Sequence, residues 1–182
     1  PYAIMIYQDD RWVYTNAAGE KLSGYSAAEL YQMNFWDIAT GDYREMIRLR
    51  GQSRQSGLQA TPSYEFRISS KSGEEKWVYL SGSSLLYKGK YAGIVSVIDI
   101  TERKKTEEAM HREQKILRTL IDNLPDSIYF KDINGRKIVA NRADLSLMGL
   151  EKEAEALGKT DVEMLGYEAG IKGYTDDLQV IN

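Results

Sequence analysis

Three stretches between residues 63 and 100 constrain the fold of this chain most strongly, because each has the pattern of a β-strand and tight turns join them. In the first, residues 63–69, apolar and polar side chains alternate, which is typical of a strand with one buried face. Residues 76–87 and 91–100 are the other two strands, with turns at 71–75 and 88–90. Strands joined this tightly pair antiparallel, so the sequence predicts a three-stranded meander.

The residues before the meander supply two more strands and several helices. Residues 2–8 and 11–16 are typical of a hairpin, with the two aspartates at positions 9 and 10 as its turn. Short helical segments are predicted between residues 17 and 32, and a longer helix over 42–55. The order β-β-α-α-α-β-β-β predicts an α+β domain whose five-stranded antiparallel sheet has helices on one side.

Local signals set the expected starts of these helices. Ser26 and Glu29 have the spacing of a capping box, and Asp42 is a suitable cap for the longer helix. One face of that longer helix is expected to carry four residues, namely Tyr43, Met46, Ile47 and Arg50.

A charged helix is predicted to follow the last strand directly. Asp99 and Thr101 are both good helix-capping residues, and the helical pattern runs over residues 102–123 until Pro125 ends it. Apolar residues recur there at heptad spacing, at Met110, Leu117 and Leu124, with Leu120 between them. This pattern favours a coiled coil between two chains, although a lone solvated helix would have a similar sequence.

The start of the chain recurs after this helix. Residues 11–25 and 136–150 share the spacing of their apolar residues, and Asn16 corresponds to Asn141. We therefore divide the chain into a first domain over residues 1–101, a linker helix over 102–123 and the first half of a second such module over 124–182. We expect that half-module to be marginal in isolation, because it buries little surface and leaves strand edges open.

Composition excludes several classes of function. The 182 residues carry a net charge of −3 without a long basic run, which argues against nucleic acid as a partner. There is no cysteine and a single histidine, His111, in the linker helix, so we expect neither a metal centre nor a catalytic set and predict no enzymatic activity. No apolar run is long enough to cross a membrane, and an intracellular, cytoplasmic location fits, with a membrane anchor elsewhere in a parent protein left open.

The sequence resembles the PAS-domain family of sensory proteins. The segment DITERK, Asp99 to Lys104, is similar to the PAC-type ending of a PAS core. Residues 16–30 and 71–78 are similar to the family's first helix and to its hairpin with a Trp-bearing strand. The resemblance implies a sensory module upstream of an effector, commonly a histidine kinase or a diguanylate cyclase, with the signal leaving through the helix after the last strand.

The resemblance also implies where a ligand would bind. Haem held through a histidine and flavin or other chromophores joined to cysteine are disfavoured by this composition. A small organic ligand, non-covalent flavin and an unliganded apolar core are all left open. The residues expected to line the space between sheet and helices are Ile4, Ile6, Asn16, Leu22, Tyr25, Leu30, Phe35, Phe66, Ile68, Val78, Leu80, Val95 and Val97.

The opposite face of the sheet predicts a homodimer. Trp77, Tyr79, Ile94 and Ile98 are expected to point away from the helices, and an apolar outer face has to be covered. We expect a second copy of the chain to cover it, together with the linker helix. The alternative to a sensor is a ligand-free structural spacer that only sets the register of the coil.

Overall fold

The computed structural model describes residues 2–58 and 61–181, so that Pro1 and Asn182, where the predicted domains begin and end, lie outside the described residues. The chain divides into two compact units, residues 1–107 and 108–182. The elements of the first unit and the helix that leaves it are β1 Ala3–Gln8, β2 Arg11–Thr15, α1 Ala17–Ser23, α2 Ala27–Leu30, α3 Gly41–Gln55, β3 Ser63–Ser69, β4 Glu75–Tyr87, β5 Lys90–Asp99 and α4 Thr101–Asn123.

The five strands form one antiparallel sheet in the order β2-β1-β5-β4-β3. The predicted α+β class and five-stranded antiparallel sheet are therefore confirmed. The last strand of the meander lies at the centre, because β5 pairs with β1 on one side and with β4 on the other. The hairpin turn is also as predicted: Asp9 and Asp10 both have positive φ, which suits a two-residue hairpin loop.

The predicted start of α2 is confirmed, whereas that of α3 is not. Ser26 and Glu29 form the predicted capping box at α2. At α3 the expectation was wrong, because the helix begins at Gly41 and its N-cap is Thr40 rather than Asp42. Asp42 instead pairs with Arg67 of β3 at 3.5 Å, on the surface of the domain.

The buried face of β1 was also predicted wrongly. Met5 and Tyr7 are almost completely buried in the core, whereas Ile4 is 41% exposed and Ile6 half-buried. Ile4 and Ile6 therefore lie on the outer face and do not line the space under the helices. The sequence of β1 does not show which of its faces is buried, because apolar side chains occupy both faces of this strand.

The outer face of the sheet is apolar over several strands. Trp77, Tyr79, Ile94 and Ile98 are all half-buried and alternate with buried residues of β4 and β5. Ile6 lies directly beside Ile94 across the β1–β5 pair, and so extends the same patch. We call these five residues the outer patch.

The start of each unit is held by an asparagine with the same set of bonds. Asn16 caps α1 by accepting from Gly19 N, and its side chain also accepts from Ile4 N at 3.1 Å. Asn141 caps α5, the helix Arg142–Leu147, and accepts in the same way from Ile128 N at 2.9 Å. We call this arrangement the asparagine clasp.

The second unit has its own small framework. Its strands β6 Tyr129–Lys131 and β7 Lys137–Ala140 form a two-stranded antiparallel sheet, and α6 Asp161–Leu165 and α7 Tyr167–Ile181 follow. A small apolar cluster of Ala140, Leu145 and Ala156 is buried there.

Candidate functional site

An internal cavity of about 30 Å³ lies between the inner face of the sheet and the helices of the first unit. Its lining is almost entirely apolar and draws on all five strands and on α1 and α3. Seven of the residues expected from the sequence line it, namely Leu22, Phe35, Phe66, Ile68, Leu80, Val95 and Val97.

The other residues predicted for the lining lie elsewhere. Leu30 and Val78 are fully buried in the core without bordering the cavity, and Tyr25 packs against the edge of that core. Asn16 serves the clasp described above, with its side-chain nitrogen donating to Tyr2 O at 3.0 Å.

The sequence interpretation missed the polar part of the lining, which consists of Tyr7, Trp12, Arg54 and Tyr64 together with Ser23. Arg54 was missed because arginine near the end of a helix normally faces water. A signal was nevertheless present, since Arg54 follows the buried Ile47 by two helical turns and therefore lies on the same face of α3.

The Arg54 residue is almost completely buried, with only 2% of its surface exposed. Its Nη2 donates to the carbonyl of Thr61 at 2.7 Å, and Nη1 reaches the hydroxyl of Tyr64 only at 3.5 Å. Its Nε has no hydrogen-bond partner. Within residues 2–58 and 61–181, no carboxylate forms an ion pair with it.

Two further donors on residues that line this cavity, the hydroxyl of Tyr7 and Nε1 of Trp12, have no partner with good hydrogen-bond geometry in the described structure, although the Tyr7 hydroxyl lies close to the guanidinium of Arg54. The rings of Tyr7 and Trp12 meet edge to face at 5.7 Å, and Phe35 stacks on Tyr7 at 4.1 Å. Burial raises the pKa of Tyr7 to about 12, although the nearby Arg54 works against this shift. The phenol is therefore neutral and available as a donor at physiological pH.

Two glycines make room for these polar side chains. A Cβ atom on Gly93 would lie 2.1 Å from Cζ of Tyr7, and one on Gly82 would lie 3.1 Å from Nε of Arg54. Neither position tolerates a side chain without displacing the group beside it. The sheet is therefore shaped by its sequence to hold Tyr7 and Arg54 over its inner face.

The junction between the sheet and α4 is also held by specific bonds. The hydroxyl of Thr101 accepts from Trp77 N at 3.0 Å, and Ile100 N donates to Trp77 O at 2.8 Å. Asp99 accepts from Thr101 N at 2.9 Å, so both residues predicted as caps contact the start of the helix.

A charged contact extends this junction by one turn of α4. Glu65 of β3 accepts from Arg103 and lies 2.6 Å from Nζ of Lys104, and these contacts lower the pKa of Glu65, chiefly through Lys104. Lys104 also lies over the ring of Trp77 at 5.6 Å. The first turn of α4 is thus tied to both β3 and β4.

Beyond this junction, α4 presents apolar side chains to solvent. No residue of the helix is buried in the chain. Met110, Leu117 and Leu120 are each more than half exposed, and Leu124 just after the helix is 46% exposed.

No cluster of three or more His, Cys, Asp or Glu that could hold a metal ion occurs in the described part of the chain. None of the helices within that part is both long and apolar enough to traverse a bilayer.

Known proteins with similar sequences include sensors. The Virulence sensor protein BvgS of Bordetella pertussis is 39% identical over 61 residues, which is 34% of this chain and 5% of that protein. The BvgS protein of Bordetella bronchiseptica matches to the same extent. The chain thus spans about 5% of the length of these curated relatives.

Solved structures share the fold. A sensory box histidine kinase/response regulator from Burkholderia thailandensis superposes with a TM-score of 0.50 at 21% identity, covering 65% of this chain and 91% of that one. An RNA-binding light-oxygen-voltage receptor also superposes with a TM-score of 0.50, at 22% identity over 63% of this chain and 34% of that one. Residues 1–102 match the PAS domain family, and with the five-stranded sheet, the cavity and the junction now described, the chain belongs to that family of sensory signalling modules.

Proposed function

We propose that this chain is the ligand-responsive, dimeric relay segment of a larger signalling protein, whose effector is a sensor histidine kinase. In this proposal the PAS domain responds to the occupancy of its cavity and α4 passes the response to the effector. The segment itself has no catalytic activity. We place it in the cytoplasm, where the proposed kinase would use ATP.

The junction at Thr101 is the observation that carries the proposal. Because its hydroxyl and the amide of Ile100 both bond to the backbone of Trp77, β4 and the start of α4 cannot shift independently without breaking hydrogen bonds. Val78 and Leu80 of the same strand face the core, and Leu80 lines the cavity. A change in the cavity thus has a short covalent and hydrogen-bonded route to α4.

Two apolar surfaces, one half-buried and one exposed, support the proposed dimer. The outer patch lies on the sheet of the first unit, and Leu117, Leu120 and Leu124 are exposed at heptad spacing on or just beyond α4. Contact with a partner chain through either surface would bury apolar side chains, which favours association by the hydrophobic effect. We propose that Trp77, Tyr79, Ile94 and Ile98 contact the partner chain together with the α4 stripe.

The second unit is proposed to be the start of a second PAS module. Its asparagine clasp at Asn141 repeats that of Asn16, including the bond from the backbone N–H of the asparagine to the carbonyl of an isoleucine, Ile4 in the first unit and Ile128 in the second. A shared sequence spacing combined with a shared set of bonds supports descent from one structural unit.

A ligand-free structural spacer is the second candidate function, and the small volume of the cavity favours it. Native mass spectrometry of the purified chain, followed by organic extraction, separates the two. A stoichiometric small molecule released from the protein supports the sensor.

Analytical ultracentrifugation tests the dimer. We expect the chain to sediment as a dimer and the double variant Leu117→Glu, Leu120→Glu to sediment as a monomer. Thr119→Glu, which adds one negative charge on the same turn outside the heptad positions, is the control and should remain a dimer. A monomeric wild-type chain at high concentration would contradict the proposed assembly.

Electron paramagnetic resonance tests the relay. The chain has no cysteine, so a spin label on Lys115→Cys, an exposed position outside the heptad stripe, gives a single distance between the two copies of α4. We expect a narrow distance distribution that broadens when Thr101→Val is added and is retained with Thr101→Ser. An equally narrow distribution in both variants would show that the junction does not fix α4.

A further inference from the structure

The cavity of the first unit contains a buried positive charge without a counter-charge. We propose that this cavity binds a small organic monocarboxylate of two to four carbons, whose oxygens accept hydrogen bonds from Nε of Arg54 and from the hydroxyl of Tyr7. The inference deepens the proposed function by naming the class of ligand, and its test does not depend on the relay to α4.

The charge argument comes first. Arg54 is 2% exposed and forms no ion pair with any carboxylate in residues 2–58 and 61–181. Taking a charge out of water costs several kcal/mol unless an opposite charge and hydrogen bonds compensate. Arginine does not lose its proton under physiological conditions, so it cannot avoid this cost by becoming neutral. A bound anion would supply the missing charge.

The hydrogen-bonding groups specify the same partner. Three residues that line the cavity carry a buried donor without a partner in the described part of the chain: Nε of Arg54, the hydroxyl of Tyr7 and Nε1 of Trp12. A ligand reaches these atoms only after small shifts of the side chains. Nε of Arg54 and Nε1 of Trp12 can only donate, and the Tyr7 hydroxyl is neutral because burial raises its pKa to about 12. A carboxylate offers two acceptor oxygens, whereas a bound amine would place a second positive charge beside Arg54.

The volume limits the size of the ligand. The cavity measures about 30 Å³, and a water molecule needs about 10–15 Å³ of such space. That space accommodates a carboxylate with a very short tail after small side-chain adjustments, whereas an aromatic acid would need the domain to open. The rest of the lining is apolar, including Phe35, Leu80 and Val95, which suits an alkyl tail.

Titration calorimetry with sodium propionate on the full 182-residue chain tests the proposal. Sodium chloride is the control for a simple anion, and 1-propanol is the control for the alkyl tail. We expect saturable one-to-one binding of propionate and no comparable binding of chloride or propanol. Failure of propionate and acetate to bind, or equal binding of chloride, would overturn the proposed ligand class.

Variants assign the binding to this cavity. Loss of a hydrogen bond to a charged group corresponds to roughly 10- to 100-fold in affinity, so Arg54→Met should weaken propionate binding by about that factor. Arg48→Met on the same helix is the matched control, because Arg48 pairs with Glu45 on the surface, and it should bind like the wild type. Unchanged affinity in Arg54→Met would refute the site.

A second readout covers the case in which Arg54→Met does not fold. Tyr7→Phe keeps the ring and removes the hydroxyl, and should weaken binding about 3- to 10-fold. In NMR spectra of arginine side chains, propionate should shift the Nε–H signal of Arg54 and leave that of Arg48 unchanged. Equal affinity in Tyr7→Phe together with an unshifted Arg54 signal would refute the proposal. Binding without a change in the α4 label distances would contradict the relay and leave the ligand site supported.

Discussion

Replacing Thr101 with valine should destabilise the first unit while leaving the shape of the side chain almost unchanged. The structure gives the size of the effect, because the hydroxyl accepts from Trp77 N at 3.0 Å and donates weakly to Trp77 O at 3.4 Å. β5 ends at Asp99, which pairs with Val78, so no backbone carbonyl of that strand lies opposite Trp77 N to replace the hydroxyl. Leaving a partly buried amide unpaired costs about 1–2 kcal/mol.

Thermal and urea unfolding of the full chain measure this cost. For a domain of this size, about 1–2 kcal/mol lowers the midpoint of thermal unfolding by roughly 5–10 °C. Thr101→Ser retains the hydroxyl and should recover most of the loss. Thr106→Val is the matched control one turn further along α4, because the hydroxyl of Thr106 bonds only within the helix, to Glu102 O. Equal unfolding midpoints for Thr101→Val and Thr106→Val would refute the importance of the junction.

Three further predictions follow from the core and from the clasp. Gly93→Ala should displace the ring of Tyr7 and cost roughly 1–3 kcal/mol in urea unfolding, whereas Gly41→Ala, with no atom within 4 Å of the new Cβ, should be nearly neutral. Folding raises the pKa of the Tyr7 phenol from 10.0 to about 12, so the folded state holds this proton more tightly than the unfolded state. The free energy of unfolding should therefore fall as pH rises from about 10 to about 12. Tyr7→Phe should flatten the pH dependence of the free energy of unfolding in this range. Asn141→Ala should speed amide hydrogen exchange at Ile128 by at least tenfold, and unchanged protection there would refute the role of the clasp.

The sheet and most of the apolar lining could be predicted from the sequence because β3, β4 and β5 carry their pattern locally. Val95 and Val97 alternate with side chains of the outer face, and tight turns fix the pairing of the meander. The phase of β1 could not be predicted in the same way. Ile6 belongs to the outer patch and Ile4 lies at its margin, so β1 carries apolar side chains on both of its faces. Its pairing with β5 therefore decides which face is buried.

The polar centre of the cavity could not be predicted because it depends on contacts distant in sequence. Nothing near Tyr7 in the chain indicates that its ring needs the space left by Gly93, 86 residues later. The burial of Arg54 likewise depends on Gly82 and on the carbonyl of Thr61. Sequence spacing along α3 places Arg54 on the inward face, but arginine is so often exposed that this spacing alone is weak support.

The asparagine clasp has a consequence for the order in which the first unit assembles. Asn16 connects residues no more than 14 positions apart, so its bonds close a short loop and need no other part of the chain. The pairing of β1 with β5 joins residues some ninety positions apart and closes a far longer loop. We therefore expect the bonds of Asn16 to form more readily than the pairing of β1 with β5, and the cavity to be complete only once the central strand has paired with β1.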